Sequence, residues 1–329
     1  MASNMKILIT GVHGFVGSNL VEALKNEHTI YGLDIISPFK DGVRFTFSWD
    51  YLDTPGEIPD VEAVIHLAGK AHDVKSDGRG QTEEYMKINC GLTQKIFDYF
   101  LASKAQKFVF FSTAKAAADK VDGILTEDVV PTPVGPYGES KIKAENYILE
   151  TFKDYNSQLL TLNSQLQTKS VYIFRPCMIH GPGNKGNLNL LYNVVKKGIP
   201  WPLGAFENRR TFTSIENICF AVNGVLTKDV PSGIYNMGDD EALSTNELIE
   251  EICKSLGKKA HILKLPKGLM NGVAKMGDTL HLPLNSLRLR KLTENYISSN
   301  EKIKKALGIE RMPVDARDGL KVTLKSFAK

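Results

Sequence analysis

"LITGVHGFVGSNLV", Leu8 to Val21, sets Gly11, Gly14 and Gly17 between an apolar run and the opening of an amphipathic one. A strand that turns into a helix through glycines brings backbone N–H groups and a helix N-terminus to one point, where a pyrophosphate is attracted. The spacing is GxxGxxG and not GxGxxG, so on spacing alone an ordinary tight turn is an equal reading. The place of the glycines, in the first strand–turn–helix unit of the chain, selects a dinucleotide site, with Phe15 and Val16 in the same loop.

Outward from this turn, short apolar runs alternate with longer amphipathic ones: "KILIT", "GSNLVEALKN", "TIYGLDI", "VEAVIHLAG", "LTQKIFDYFLASK", "KFVFFST", "SKIKAENYILETF" and "SVYIFRP". Continuous apolar strands separated by helices mark a parallel sheet buried on both faces. The expected fold is α/β, a Rossmann-type doubly wound parallel sheet over residues 1–175. After Arg175 the composition turns to Gly, Pro and Asn, in "HGPGNKGNLN" and "GIPWPLGAFENRR". A further strand and helix in "TFTSIENICFAVNGVL" and a strand in "GIYNMG" make residues 212–238 an interleaved return segment of the first domain. The helix "STNELIEEICKSLG" opens on Ser244 and Thr245 with Glu247 placed for a capping box. Residues 176–329 are expected to form a smaller α/β substrate-binding domain over the carboxyl ends of the strands. Within it, "GLMNGVAKMGDTLHLPL" reads as a buried helix and loop, with a partner surface as the other reading.

A chain of 329 residues with 42% apolar content has enough material for a large core, which excludes a disordered or fibrous protein. Its net charge of +4 is spread among 37 acidic residues, with no basic block of the kind that binds nucleic acid. Cys90, Cys177, Cys219 and Cys253 stand singly, so neither a zinc or other metal site nor a disulfide framework is suggested. No run reaches the ~18 to 20 apolar residues of a membrane span, and a strand begins almost at once after Met1 to Asn4. The expected location is cytoplasmic.

Asp34 closes the second strand 17 residues past Gly17, where a carboxylate accepts from adenosine ribose hydroxyls and repels a 2′-phosphate. NAD is thereby favoured over NADP, although Lys40 and Arg44 follow soon after and can receive a phosphate. "HLAG" ends the fourth strand with Leu67, Ala68 and Gly69, small enough for a chain that passes under a dinucleotide; His66 reads as a core histidine. "FVFFST" ends the next strand with Ser112 and Thr113. In "PYGESKIKAE", Pro136 to Glu145, Tyr137 and Lys141 lie four apart on one helical face. Alone, that pair is as well a solvated helix face with Glu139 and Glu145 for partners. With a cofactor turn upstream and Thr113 24 residues before Tyr137, the three are expected to meet above the cofactor. A phenol near pKa ~10 is a poor base at neutral pH, and a nearby ammonium and the positive nicotinamide ring favour its phenolate. Tyr137 is then the acid/base for a substrate alcohol, Lys141 tunes it and holds the nicotinamide ribose, and Thr113 orients the substrate oxygen.

At this point the chain resembles the extended short-chain dehydrogenase/reductases, and within them the nucleotide-sugar epimerases, dehydratases and 4-keto reductases. The resemblance rests on "TGVHGFVG", Thr113, "YGESK", "RPCMIHGPG", "RTFTSIEN" with Arg210, and "NEKIKKALG", and it covers nearly the whole chain. It implies NAD as cofactor, a UDP-sugar as substrate and a homodimer. It further implies an adenine pocket near Asp50 and Tyr51, a cofactor contact at Pro176, a diphosphate contact at Arg210 and a substrate contact at Asn187. Arg288 and Arg290 offer a second phosphate contact or a solvated stripe.

Three departures bear on the reaction. Where the family's dehydratases carry Asp and Glu after the threonine, this chain has Ala114 and Lys115, which disfavours dehydration. Lys115 reads either as a substrate contact or as a solvated lysine. Met178 stands in place of the family's asparagine after "RP", and Thr211 in place of the acid after Arg210. A 4-epimerase of a UDP-hexose or UDP-N-acetylhexosamine is the leading expectation. A reductase of a UDP-4-keto-6-deoxy-N-acetylhexosamine is the alternative, and a non-catalytic NAD-binding regulator a remote one.

Overall fold

The computed structural model describes residues 4–54, 56–71, 79–161, 167–280 and 284–328. In chain order it contains β1 (Lys6–Thr10), α1 (Phe15–Leu24), β2 (Thr29–Leu33), β3 (Val43–Phe47), β4 (Ala63–His66), α2 (Arg79–Tyr85), α3 (Leu92–Ala102), β5 (Lys107–Phe111), α4 (Ala114–Ala117), β6 (Ile124–Leu125), α5 (Pro136–Thr161), β7 (Ser170–Pro176) and β8 (Met178–His180). It continues with α6 (Asn187–Lys196), β9 (Phe212–Ser214), α7 (Ile215–Thr227), β10 (Gly233–Met237), α8 (Thr245–Ser255), α9 (Lys267–Leu280), α10 (Ser286–Thr293), β11 (Ile297–Ser298), α11 (Glu301–Leu307) and α12 (Ala316–Phe327). Among the described residues, seven strands form one parallel sheet in the order β10-β7-β5-β4-β1-β2-β3. The order reverses between β1 and β4, and a ligand crevice opens at such a switch point, outside the carboxyl ends of the strands.

Side chains alternate across each strand, so one strand feeds two cores. Ile7, Ile9, Ile65, Val109 and Phe174 pack against α1, α7 and α11, whereas Leu8, Val64, Phe108, Phe110 and Ile173 pack against α3 and α5. Both faces are buried, which is why these strands read as unbroken apolar runs. The edge strand β3 is the exception: only Phe47 is fully buried, and its polar Arg44 and Thr46 keep it out of the runs quoted above. Burying an apolar side chain of this size contributes about 1.5–3 kcal/mol, so a sheet with two covered faces dominates the stability.

Beyond β7, the elements α6, α8 and α12 bury Leu188, Tyr192, Ile252, Leu320 and Leu324 together. The capping box forms as its sequence requires: Ser244 Oγ accepts from the Glu247 N–H at 3.0 Å, and Glu247 Oε2 accepts from the Ser244 N–H at 2.7 Å. Helix α9 buries Met270, Ala274 and Gly277 but leaves Leu269, Met276 and Leu280 exposed. The rest of that apolar run, His281 to Pro283, lies outside the described residues.

Candidate active site

The glycine turn is built by close backbone approach. Gly11 has φ +68°, in the left-handed region, and a Cβ there would stand 3.0 Å from the Ala68 nitrogen. A Cβ on Gly17 would stand 2.4 Å from the Gly11 carbonyl oxygen and 2.8 Å from Val12 Cα, so the first turn of α1 can lie on the loop only without a side chain. Gly14 caps α1, with Phe15 and Val16 in the first turn. Asp34, just past β2, accepts from the His13 N–H at 3.1 Å through Oδ2 and from the Ile35 N–H at 2.7 Å through Oδ1. Its carboxylate therefore faces the glycine loop. Lys40 Nζ donates to Ser18 Oγ at 2.9 Å, which directs that cation to α1. Asp50 and Tyr51 lie exposed on a 3₁₀ turn, Trp49–Asp53, beyond the same sheet edge.

Leu67 and Ala68 are tied to the loop through Thr10, whose Oγ1 accepts from both backbone N–H groups at 3.1 Å. The Thr10 hydroxyl also reaches His66 Nδ1 at 2.6 Å, and His66 Nε2 reaches Thr93 Oγ1 at 2.9 Å. Thr93 donates its proton to the Asn89 carbonyl at 2.6 Å, so His66 must carry its proton on Nε2 and accept from Thr10 on Nδ1. Burial holds the His66 imidazole well below the ordinary histidine value, with the Lys141 charge acting the same way. His66 is thus a neutral, satisfied core histidine.

Thr113 caps α4, its Oγ1 accepting from the Lys115 N–H at 3.3 Å, and it hydrogen-bonds the Tyr137 hydroxyl. Pro136 opens α5, a position that requires no N–H, and Gly138 lets that helix start lie against α4. A Cβ on Gly138 would stand 2.7 Å from the Lys115 carbonyl oxygen. One turn on, Lys141 is buried: Nζ donates to the Phe111 carbonyl at 2.9 Å and lies 4.9 Å from the Phe110 ring centroid. A Cβ on Gly69 would come within 3.1 Å of Lys141 Nζ and 3.0 Å of Asn89 Oδ1, so the chain just past β4 and helix α5 share one cradle.

Burial lowers the Lys141 ammonium to about 8, opposed by Glu145. For Tyr137, burial raises the phenol above its ordinary value and the Thr113 hydrogen bond only partly offsets this. The sequence suggests that the lysine would lower the phenol; in the protein alone, desolvation wins.

Pro176 ends β7 on the same side of the sheet. Arg210 is half-buried, donates through Nη1 to the Lys291 carbonyl, and lies close enough to Cys177 and Tyr296 for its charge to favour their ionised forms. The Tyr296 hydroxyl in turn donates to the Ala118 carbonyl at 2.8 Å, which joins Arg210 to the α4 region. Lys115 lies at the rim with its side chain 47% exposed and 3.4 Å from Asp119. Asn187 is exposed at the first position of α6, and Arg290 is exposed 3.8 Å from Glu294. Sequence reasoning missed Asn89: it sits on a π-helical turn, accepts from the Lys70 N–H at 2.7 Å and donates to Ser140 Oγ at 2.9 Å. Nothing in its local sequence marks that bridge, because its partners are 19 and 51 residues away.

A glycine turn at the switch point, a carboxylate facing that turn and a buried Thr–Tyr–Lys cluster suit a dinucleotide-dependent enzyme. The chain belongs to the NAD dependent epimerase/dehydratase family, whose model matches residues 7–238, and NAD is its cofactor. It is 30% identical over 275 residues to the UDP-glucose 4-epimerase of Vibrio cholerae, covering 79% of this chain and 78% of that one. In fold it is similar to the UDP-glucuronic acid 4-epimerase of Bacillus cereus, solved with NAD, with TM-score 0.73 and 22% identity over 98% of this chain and 96% of that one. The UDP-N-acetylglucosamine 4-epimerase of Bacillus cereus superposes with TM-score 0.72 at 21% identity, over 99% of this chain and 100% of that one. Among the described residues no helix is long and apolar enough to cross a membrane.

Proposed function

We infer that the protein is a 4-epimerase of a UDP-hexose or UDP-N-acetylhexosamine. The observation that carries this is the meeting of Thr113, Tyr137 and Lys141 beside the glycine turn, and the Vibrio cholerae relative supports the choice of reaction. NAD, when bound, supplies reversible hydride transfer at the sugar carbon. Gly11, Gly14 and Gly17, with Phe15 and Val16, would hold its pyrophosphate; Asp34 its adenosine ribose; Leu67, Ala68, Gly69 and Pro176 its underside; Asp50 and Tyr51 its adenine.

Tyr137 Oη, as phenolate, takes the proton of the sugar 4-hydroxyl as C4 is oxidised and returns it to the 4-keto oxygen as C4 is reduced from the other face. Thr113 holds the same oxygen, and the Lys141 charge favours the phenolate that burial alone opposes. Arg210 and the Asn187 end of α6 are the diphosphate and sugar contacts. Ala114 supplies no acid or base for loss of a 6-hydroxyl, so dehydration is not proposed. The homodimer is what the resemblance implies, and the cytoplasmic location is the reading of the sequence. Reduction of a UDP-4-keto-6-deoxy-N-acetylhexosamine is the second reading, favoured by Lys115 at the rim beside Thr113.

The test is incubation with UDP-glucose or UDP-N-acetylglucosamine and catalytic NAD, followed by NMR. An accumulating C4 epimer without net change in nicotinamide absorbance is expected. No epimer from either sugar, together with NADH consumption on a 4-keto-6-deoxy sugar, replaces the epimerase by the reductase.

A further inference from the structure

Beneath the catalytic centre lies a buried ion pair that the proposed chemistry has not used. Arg175 on β7 and Glu145 on α5 are 2% and 0% exposed at their side chains, and the guanidinium grips the carboxylate through Nε at 3.0 and 3.1 Å and through Nη2 at 2.5 Å. Ser112 Oγ donates to the same carboxylate, while Arg175 Nη1 is buried with no hydrogen-bond partner among the described residues. Burying such a pair is costly, and apolar residues of the same volume commonly hold a helix to a strand as well or better. Core packing therefore does not explain why charge is kept here.

The register does. Three consecutive residues at the end of β5 bind three residues spaced four apart on one face of α5: the Phe111 carbonyl receives Lys141, Ser112 meets Glu145, and Thr113 meets Tyr137. The backbone of Ser112 is pinned on its other side, its N–H donating to the Phe174 carbonyl at 2.8 Å, one residue before Arg175. We propose that Glu145, held by Arg175, is a positioning residue that sets Thr113, Tyr137 and Lys141 in register.

The charge of Glu145 also bears on Lys141, four residues away on the same face of α5, as does that of Tyr137 when it is the phenolate. His66 on β4 is neutral and its surroundings oppose a charge, Asn89 and the β5 carbonyl carry none, and Arg175 acts through Glu145. Burial pushes the ammonium down and Glu145 is the group that resists it. Replacing Glu145 by Gln keeps the shape and removes the resistance, so Lys141 loses its proton at a lower pH.

This rests on the functional reading above, and two variants separate the two. In Glu145→Leu/Arg175→Met the ion pair is replaced by apolar bulk, so unfolding and NAD binding should stay near wild type while turnover falls about tenfold or more. In Glu145→Gln the alkaline limb of the kcat profile should move to lower pH. Wild-type turnover in the double variant, or an unmoved limb in Glu145→Gln, overturns the proposal. If the double variant does not fold, Glu145→Gln alone decides. If the wild-type protein converts no UDP-sugar, the functional reading has failed and not this one. Titration of the ¹³C-labelled Lys141 ε-carbon, assigned by its loss in Lys141→Arg, then decides: a lower midpoint in Glu145→Gln supports the role, and an equal midpoint removes it.

Discussion

Tyr137 and Lys141 show how one burial acts on two groups in opposite senses. Desolvation disfavours whichever form is charged, so it raises the phenol and lowers the ammonium. Changing Tyr137 to Phe should cost about 10²–10⁴-fold in turnover, while NAD binding, measured by fluorescence titration, stays within several-fold. Lys141, at about 8, should give the cofactor-free enzyme an ionisation that withdraws its charge as the pH rises past that value. An NMR titration of Lys141 in the cofactor-free enzyme should give a midpoint near 8, and a midpoint at the ordinary 10.5 counts against the effect of burial. Gly17 is decided by space: a Cβ 2.4 Å from the Gly11 carbonyl must push the loop off α1. Gly17→Ala should destabilise the protein by about 1–3 kcal/mol and shrink the thermal shift produced by added NAD.

Among the elements, α3 depends on a residue far from its own sequence. Lys169, just before β7, donates through Nζ to the carbonyls of Phe100 at 3.0 Å, Ser103 at 2.8 Å and Ala105 at 2.6 Å, closing the C-terminal end of α3 with a cation where the helix dipole favours one. Lys169→Met leaves those carbonyls less satisfied and should cost about 1–3 kcal/mol in denaturant unfolding. The pH dependence has a definite sign. Burial lowers Lys169 to about 8, below the ordinary 10.5 that it regains on unfolding. Between these values the unfolded chain binds more protons, so the wild type should gain stability relative to Lys169→Met as the pH rises through that window.

The whole molecule is joined across its two parts by a second buried polar centre. Asp239, past the end of β10, accepts from the Ser214 N–H at 2.9 Å, from Ser214 Oγ at 2.7 Å and from Asn217 Nδ2 at 2.7 Å, with His180 Nε2 at 3.7 Å. Asn217 also donates to the Val314 carbonyl at 2.8 Å, and His180 Nδ1 reaches Thr323 on α12 at 2.9 Å. This knot fixes β8, β9 and α12 relative to the sheet, and β9 begins two residues after Arg210. Arg210→Ala should raise the substrate KM by about 10-fold or more and leave NAD affinity nearly unchanged. An unchanged KM removes Arg210 from the diphosphate role.

Much of this protein is decided within a few residues of chain. The alternation of apolar runs and amphipathic helices, the glycine turn, the capping box at Ser244 and the one-face spacing of Tyr137 and Lys141 follow from strand and helix periods and from local sterics, and all were legible in the sequence. Strand β3 was obscured because an edge strand exposes polar side chains, and the raised phenol of Tyr137 because burial has no local signature. Only the tertiary structure decided the partners: His66 between Thr10 and Thr93, Asn89 on Ser140, Glu145 between Ser112 and Arg175, Arg210 beside Tyr296. Those contacts join side chains 27 to 86 residues apart, and hydrogen bonds over such separations impose no period on the chain that connects them.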